Sequence, residues 1–203
     1  MPLPEKEVRY YMQSALDRAI EQYGNNPNPS QESFLSAELN YIATLADVQA
    51  GLELYREQAK GMTMEELRAE GHLSNRLGEH LRAAGKPKPD DRVDAHAIVA
   101  GAHKDAAMLR AVMARLKIRV DDPDNGCWLP RRSRDCPHWA FPKAVPHSRI
   151  HRSNYFLWIR NILLTMNDAS RFRVRLNNIG QQLQEGTLPK EVMLPKGQGT
   201  DAL

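Results

Sequence analysis

The chain has 203 residues, 41% apolar and 26% charged, with a net charge of +3. That is enough apolar material for a real core, in one larger domain or two small ones, and no apolar run is long enough to span a membrane. Charge is unevenly placed: ten Lys and Arg face two Asp and Glu between Pro130 and Arg175, while the first 129 residues are acidic on balance, which excludes a globally basic polyanion binder and points to a local phosphate-binding surface.

No secretory leader is expected near the N-terminus, because Pro2, Pro4, Glu5, Lys6 and Glu7 precede no long apolar run. Val8, Tyr11, Met12, Ala15, Leu16, Ala19 and Ile20 recur at three and four, predicting a helix stopped at Gly24, with a turn from Asn25 to Pro29. Ser30 and Ser33 offer N-cap oxygens to a second, unusually long helix that carries Phe34, Leu35, Leu39, Ile42, Leu45, Val48, Leu52 and Leu54 and ends by Gly61. Thr63 and Glu66 fit a capping box for a short helix ending before Gly71. Residues 1–70 show no chemistry and are expected to form a separate helical region, with a boundary near residue 71.

Leu73 to Ala84 reads as a helix broken by the Pro-rich, charged stretch from Gly85 to Asp91. Arg92 to Val99 then predicts a short strand, Lys104 to Leu116 a helix, Asp121 to Gly126 a turn, and Cys127-Trp128-Leu129 a second strand closed by Pro130. The basic loop Arg131–Pro146 is irregular. A helix from about Ser148 to Asn167 is expected to bury Tyr155, Phe156, Trp158, Ile159, Ile162 and Leu163, and would put His147 and His151, four apart, on one face if it reached both. Pro189, Pro195, Gly197 and Gly199 predict a loose tail over residues 187–203. The fold class is α+β, mostly α.

The two cysteines, Cys127 and Cys136, are too few for a disulfide framework and are expected to be reduced; with His138 they lack the CxxC spacing and the fourth ligand of a zinc site. Taken singly, His72, His80, His103 and His138 read as structural imidazoles.

The order of motifs is more specific than any one of them. Asp94-Ala95-His96-Ala97-Ile98-Val99, Leu116 to Asp121, Asn125-Gly126-Cys127-Trp128-Leu129-Pro130, His147-Ser148-Arg149-Ile150-His151 and Tyr155-Phe156 together resemble, from Leu77 to Tyr155, the Ala-His-His subgroup of the HNH nucleases, a family abundant among bacterial toxin domains. The resemblance implies a ββα-metal finger embedded in helices over residues 71–186. It also implies one divalent metal ion, Zn, Ni, Mg or Mn, held by His96, His147 and His151, with Asn125 bracing the loop between the strands. Asp94, two before His96, is a possible further oxygen ligand or supporting partner. Arg131, Arg132, Arg134, Lys143, Arg149, Arg152 and Arg160 are candidate phosphate contacts that would set register without reading bases.

At position 97 this chain departs from the family pattern, which has the second histidine there, the general base. Ala97 cannot accept a proton, so catalysis should be impaired while metal and nucleic-acid binding survive. Because every other motif position is intact, a deliberate His-to-Ala replacement that lets a toxic nuclease be produced fits better than natural decay. The implied activity is a DNase, with RNA an alternative substrate and a naturally inactive, metal-stapled nucleic-acid-binding module the main rival. The resemblance further implies a toxin made in a bacterial cytoplasm and delivered into a target cell by a signal-independent route such as type VI secretion. An acidic immunity protein is the expected partner, and residues 1–70 are a possible loading region for a secretion component or adaptor.

Overall fold

The structure is a computed structural model that describes residues 14–25 and 32–203. Val8, Tyr11, Met12, most of the first turn and the Ser30 cap lie outside the described residues, as do the side chains of Ser33, Phe34 and Leu35. Among the described residues no helix is long and apolar enough to cross a membrane.

Among the described residues the architecture is mostly helical around one two-stranded sheet. Helix α1 (Ala15–Gly24) opens on a capping box between Ser14 and Asp17, and α2 (Glu32–Gly61) is a single 30-residue helix. Thr63 and Glu66 form the capping box of α3 (Met64–Ala69), each bonding the other's backbone. Helix α4 (Ser74–Ala83) precedes strand β1 (Val93–Ala97). After α5 (Ala107–Arg115) and a 3-10 turn, β2 (Gly126–Pro130) pairs antiparallel with β1, Val93 opposite Pro130 and Ala97 opposite Gly126.

Strand alternation sorts the sheet's two faces. Val93, Ala95, Ala97 and Trp128 pack on Leu77 and Leu81 of α4, while Cys127 and Leu129 join the main core, which includes Tyr155, Phe156, Phe172, Leu176, Ile179 and Leu183. These last residues come from α7 (Ser153–Leu163) and α8 (Ala169–Glu185). His96 stands opposite Cys127 and so shares the main-core face, with Ala97 on the α4 face.

The helix expected from Ser148 to Asn167 is broken. Helix α6 (His147–Ile150) ends before His151, whose ψ of 68° leaves helical space, and Arg152 is extended before α7 begins. No Pro or Gly marks this break. Tertiary contacts hold it: Arg152 donates to Arg149 O and Met193 O, and Asn154 Nδ2 to the carbonyls of Glu191 and Gln198. Those carbonyls belong to the segment expected to be a loose tail. It is instead laid against α7, with Val192 fully buried and Asn161 donating to Leu203 O.

Helix α8 is absent from the sequence-based expectation, although Phe172, Leu176, Ile179 and Leu183 carry a helical repeat. Asp168 caps its start by accepting from Arg171 N–H. Its end is Gly186 at φ +67°, a left-handed C-cap where a Cβ would lie 2.2 Å from Lys143 O.

No gap falls at residue 71. Leu52, Tyr55 and Ala59 of α2 are buried. Arg119 lies 3.7 Å over the Tyr55 ring and pairs with Glu70 at 2.6 Å, while Arg56 of α2 reaches Asp122 and Asp124. Side chains from both sides of residue 71 therefore meet, because those of α2 satisfy polar groups on the turn that leads into β2.

Candidate metal centre

His96 is fully buried at the end of β1. Its position follows from the strand, whose exit is held by Asn125: the side-chain oxygen accepts from Val99 N–H at 2.8 Å, and Nδ2 donates to Val99 O and Val120 O. All three bonds are buried, so Asn125 clamps the β1 exit to the turn before β2 and touches none of the three histidines by any of them.

His147 stands at the start of α6 and His151 just past its end. The short helix followed by a turn, not a continuous helical face, brings them together. One ligand-capable atom from each of His96, His147 and His151 lies within 4.8 Å of the others, and the His147 and His151 Nε2 atoms are 3.4 Å apart.

The hydrogen bonding around His96 assigns its tautomer. Tyr155 donates its single hydroxyl proton to Ile98 O at 2.7 Å. The 3.3 Å contact between Tyr155 Oη and His96 Nε2 must then be made by an Nε2–H. That leaves His96 Nδ1 as an unprotonated, buried nitrogen with no hydrogen-bond partner. An orphaned lone pair inside a three-imidazole cluster fits a cation, and a borderline transition ion best.

Electrostatics agree. Burial pushes the His96 pKa well down, and the His147 and His151 charges push the same way. Burial also lowers His147, with Asp94 opposing, and takes His151 down to about 4, helped by His147. Protonation of any of the three is disfavoured, so their lone pairs are available at neutral pH. Affinity for Zn or Ni is therefore expected to stay flat from pH 8 to about 6 and fall only below that, lower than free imidazole competition near 6.5 would set. Calorimetric titrations across this range check it; a loss already complete by pH 6.5 would mean the ligands are not held neutral.

Tyr155 is missing from the sequence-predicted site, where it counts only as core. Its hydroxyl holds the His96 ring, as a partner behind a metal ligand would. Tyr155→Phe is expected to weaken Zn or Ni affinity by about 10- to 100-fold, read by calorimetry. An unchanged affinity would show that His96 needs no such support.

The other predicted residues are distributed as follows. Asp94 is outside the three-histidine cluster and instead accepts from Arg131 Nε at 2.9 Å. Arg131 also donates to Asp91 O, so this pair is tied up at the β1 end. Arg152 is spent on backbone carbonyls. Arg132, Arg134, Lys143 and Arg149 are exposed and Arg160 half-buried. Cys127 is buried and free, its thiol pushed up to about 12 by burial. Cys136 is also free, and His138 faces Asp90 at 3.1 Å. These three form no ligand cluster among the described residues.

Ala97 shares with His147 and His151 the lining of a cavity of about 500 Å³. The cavity therefore contains both His147 and His151 and the position where this strand bears a methyl group.

A family model described as a nuclease family of the HNH/ENDO VII superfamily with conserved AHH matches residues 77–184, just over half the chain. Ala95 and His96 match its signature and Ala97 departs from it. No curated protein and no solved structure matches the chain.

Proposed function

The chain belongs to the AHH nuclease family of the HNH/ENDO VII superfamily, and from that membership we propose a metal-dependent endonuclease that hydrolyses phosphodiester bonds in DNA with little sequence preference. The observation that carries this reading is the unpartnered, buried Nδ1 of His96 beside His147 and His151. These three residues would hold the ion. A divalent metal bound there supplies Lewis-acid stabilisation of charge developing on a phosphate.

The chain's own residues do the rest. Asn125 fixes the strand exit and Tyr155 the His96 ring. Arg134, Lys143 and Arg149, exposed in the basic stretch around α6, would grip phosphates, contacts that position a backbone without reading bases. Ala97 leaves no imidazole at the position of the family's second histidine, so we read this chain as a catalytically impaired form. The intact ligand set favours replacement of a single residue over general decay of the site.

Family membership also supports a toxin role, with delivery into a competing bacterium by a signal-independent apparatus. An acidic immunity protein covering the basic stretch fits by charge complementarity. A secretion component or adaptor would engage the N-terminal helices.

Incubating supercoiled plasmid, and separately total RNA, with Mg, Mn, Ni or Zn tests the reading, with His147→Ala as background. Metal-dependent nicking of plasmid by an Ala97→His variant supports a DNase. Cleavage of RNA alone moves the substrate. DNA binding without cleavage in every variant would establish the metal-stapled binding module instead.

A further inference from the structure

Two further histidines, His72 and His103, line this cavity beside His147 and His151, and His72 comes from outside the family-matched region. His72 lies between α3 and α4, half-buried, with its Nδ1 2.5 Å from Asp121 Oδ1. Asp121 is fully buried, and its other oxygen accepts from Leu73 N–H at 3.0 Å and Arg76 Nε at 2.7 Å. A carboxylate fixed from two sides takes the Nδ1–H, which leaves the lone pair on Nε2. Among the described residues that atom's hydrogen-bond partner is the Ser74 hydroxyl, at 3.2 Å.

Three observations tie this dyad to the site. His72 and Ser74 line the 500 Å³ cavity with Ala97, His147 and His151. Ala97 stands on the α4 face of the sheet, and His72 enters from the N-terminal side of α4, so both approach the cavity from one side. The loop leaving β1 also yields to His72: a Cβ on Gly101 would sit 2.4 Å from His72 Cβ, so glycine is what permits this closeness. The neighbouring histidines are otherwise engaged. His103 stacks on Phe156 at 4.2 Å and caps a turn, and His80 bonds Asp121 O.

We propose that His72, oriented by Asp121, is the proton acceptor of this cavity in the chain as it stands, serving where Ala97 cannot. The proposal rests on the nuclease reading above. In the step it performs, His72 Nε2 takes a proton from water while the water oxygen forms a bond to phosphorus. The bond from phosphorus to the leaving ribose oxygen breaks, and that oxygen is protonated from solvent. His72 then returns its proton to solvent. Asp121 acts as a positioning residue by holding the tautomer, as a carboxylate behind a histidine base does.

The test compares plasmid nicking with Mn and Mg by four proteins: the chain itself, His72→Asn, Ala97→His, and Ala97→His combined with His72→Asn. His147→Ala sets the background. Asparagine keeps a donor toward Asp121 and removes the basic nitrogen. Expected is a roughly hundredfold loss of the chain's residual cleavage on His72→Asn, the scale of a removed general base. In the Ala97→His background the same change should cost less than about threefold, since the two sites would couple in a double-mutant cycle. Zn affinity and melting temperature should be unchanged. If His72→Asn lowers the melting temperature, His72→Gln replaces it.

A parallel loss in both backgrounds would make His72 a structural anchor and overturn the proposal. So would cleavage by Ala97→His with none above background in the chain itself. Silence of all four proteins, Ala97→His included, would instead bring down the nuclease reading on which the proposal rests.

Discussion

Changing Ala97 to histidine is expected to raise metal-dependent plasmid nicking by about a hundredfold to ten-thousandfold, the usual worth of a positioned general base. That range corresponds to about 3 to 5 kcal/mol of barrier. Ala97 is 5% exposed, so an added imidazole needs room, and the cavity it shares with His147 and His151 provides it. The gain should vanish when Ala97→His is combined with His147→Ala or treated with a chelator. A gain surviving both would place the chemistry outside the three-histidine centre. No gain with any of the four metals, in a variant that melts like the parent, would mean position 97 is not where a base acts, and the impairment assigned to this chain would be wrong.

Asp122→Ala is expected to cost about 3 kcal/mol of stability, the lower end for breaking a buried ion pair from one side. Asp122 is 1% exposed and accepts from Arg56 on α2 and binds Arg173 on α8 at 2.7 Å. Its loss would leave two guanidinium groups relying on Asp124 alone, which both also touch. Arg56 is 37% exposed, so water compensates in part, which sets the estimate at the low end. The sign with pH follows from the direction of the shift. Burial raises the Asp122 pKa, but Arg56 and Arg173 outweigh it and the net shift is downward. Its contribution is thus fully present above the unfolded value near 4 and is lost as pH falls through the folded value. Urea midpoints at pH 7 and at pH 3 to 4 check this: the gap between parent and variant should narrow in acid. A difference below about 1 kcal/mol at pH 7 would show that α2 is not joined to the nuclease fold through this carboxylate.

Much of the finger was legible because its parts are local. Strand alternation around His96, the Thr63 and Glu66 capping box, the Pro-rich break after Ala83 and the turn before β2 each depend on neighbours within a few residues. The order of His96, Asn125, His147 and His151 along the chain resembles that of the Ala-His-His nucleases and so implied one site, since order and residue type survive without coordinates. Helix α8 carried the same kind of local repeat in Phe172, Leu176, Ile179 and Leu183, yet the sequence-based expectation omitted it.

Other features had no local signature. The break at His151 contains neither Pro nor Gly and depends on carbonyls 40 residues away, around Met193. The same contacts dock a tail whose composition alone reads as loose. Asp94 shares a face with His96, yet Arg131 lies close enough to claim it. Tyr155 reads as core until its hydroxyl is found between Ile98 O and His96. By itself the sequence determined the family, the strand and turn order, and which imidazoles were candidates, because pattern and spacing along the chain encode those. Only the tertiary structure decided the His96 tautomer, the joining of α2 to the nuclease fold and the entry of His72 into the cavity. Each of these depends on which polar groups become buried together and must satisfy one another, a relation between residues about 50 to 70 apart that no periodicity records.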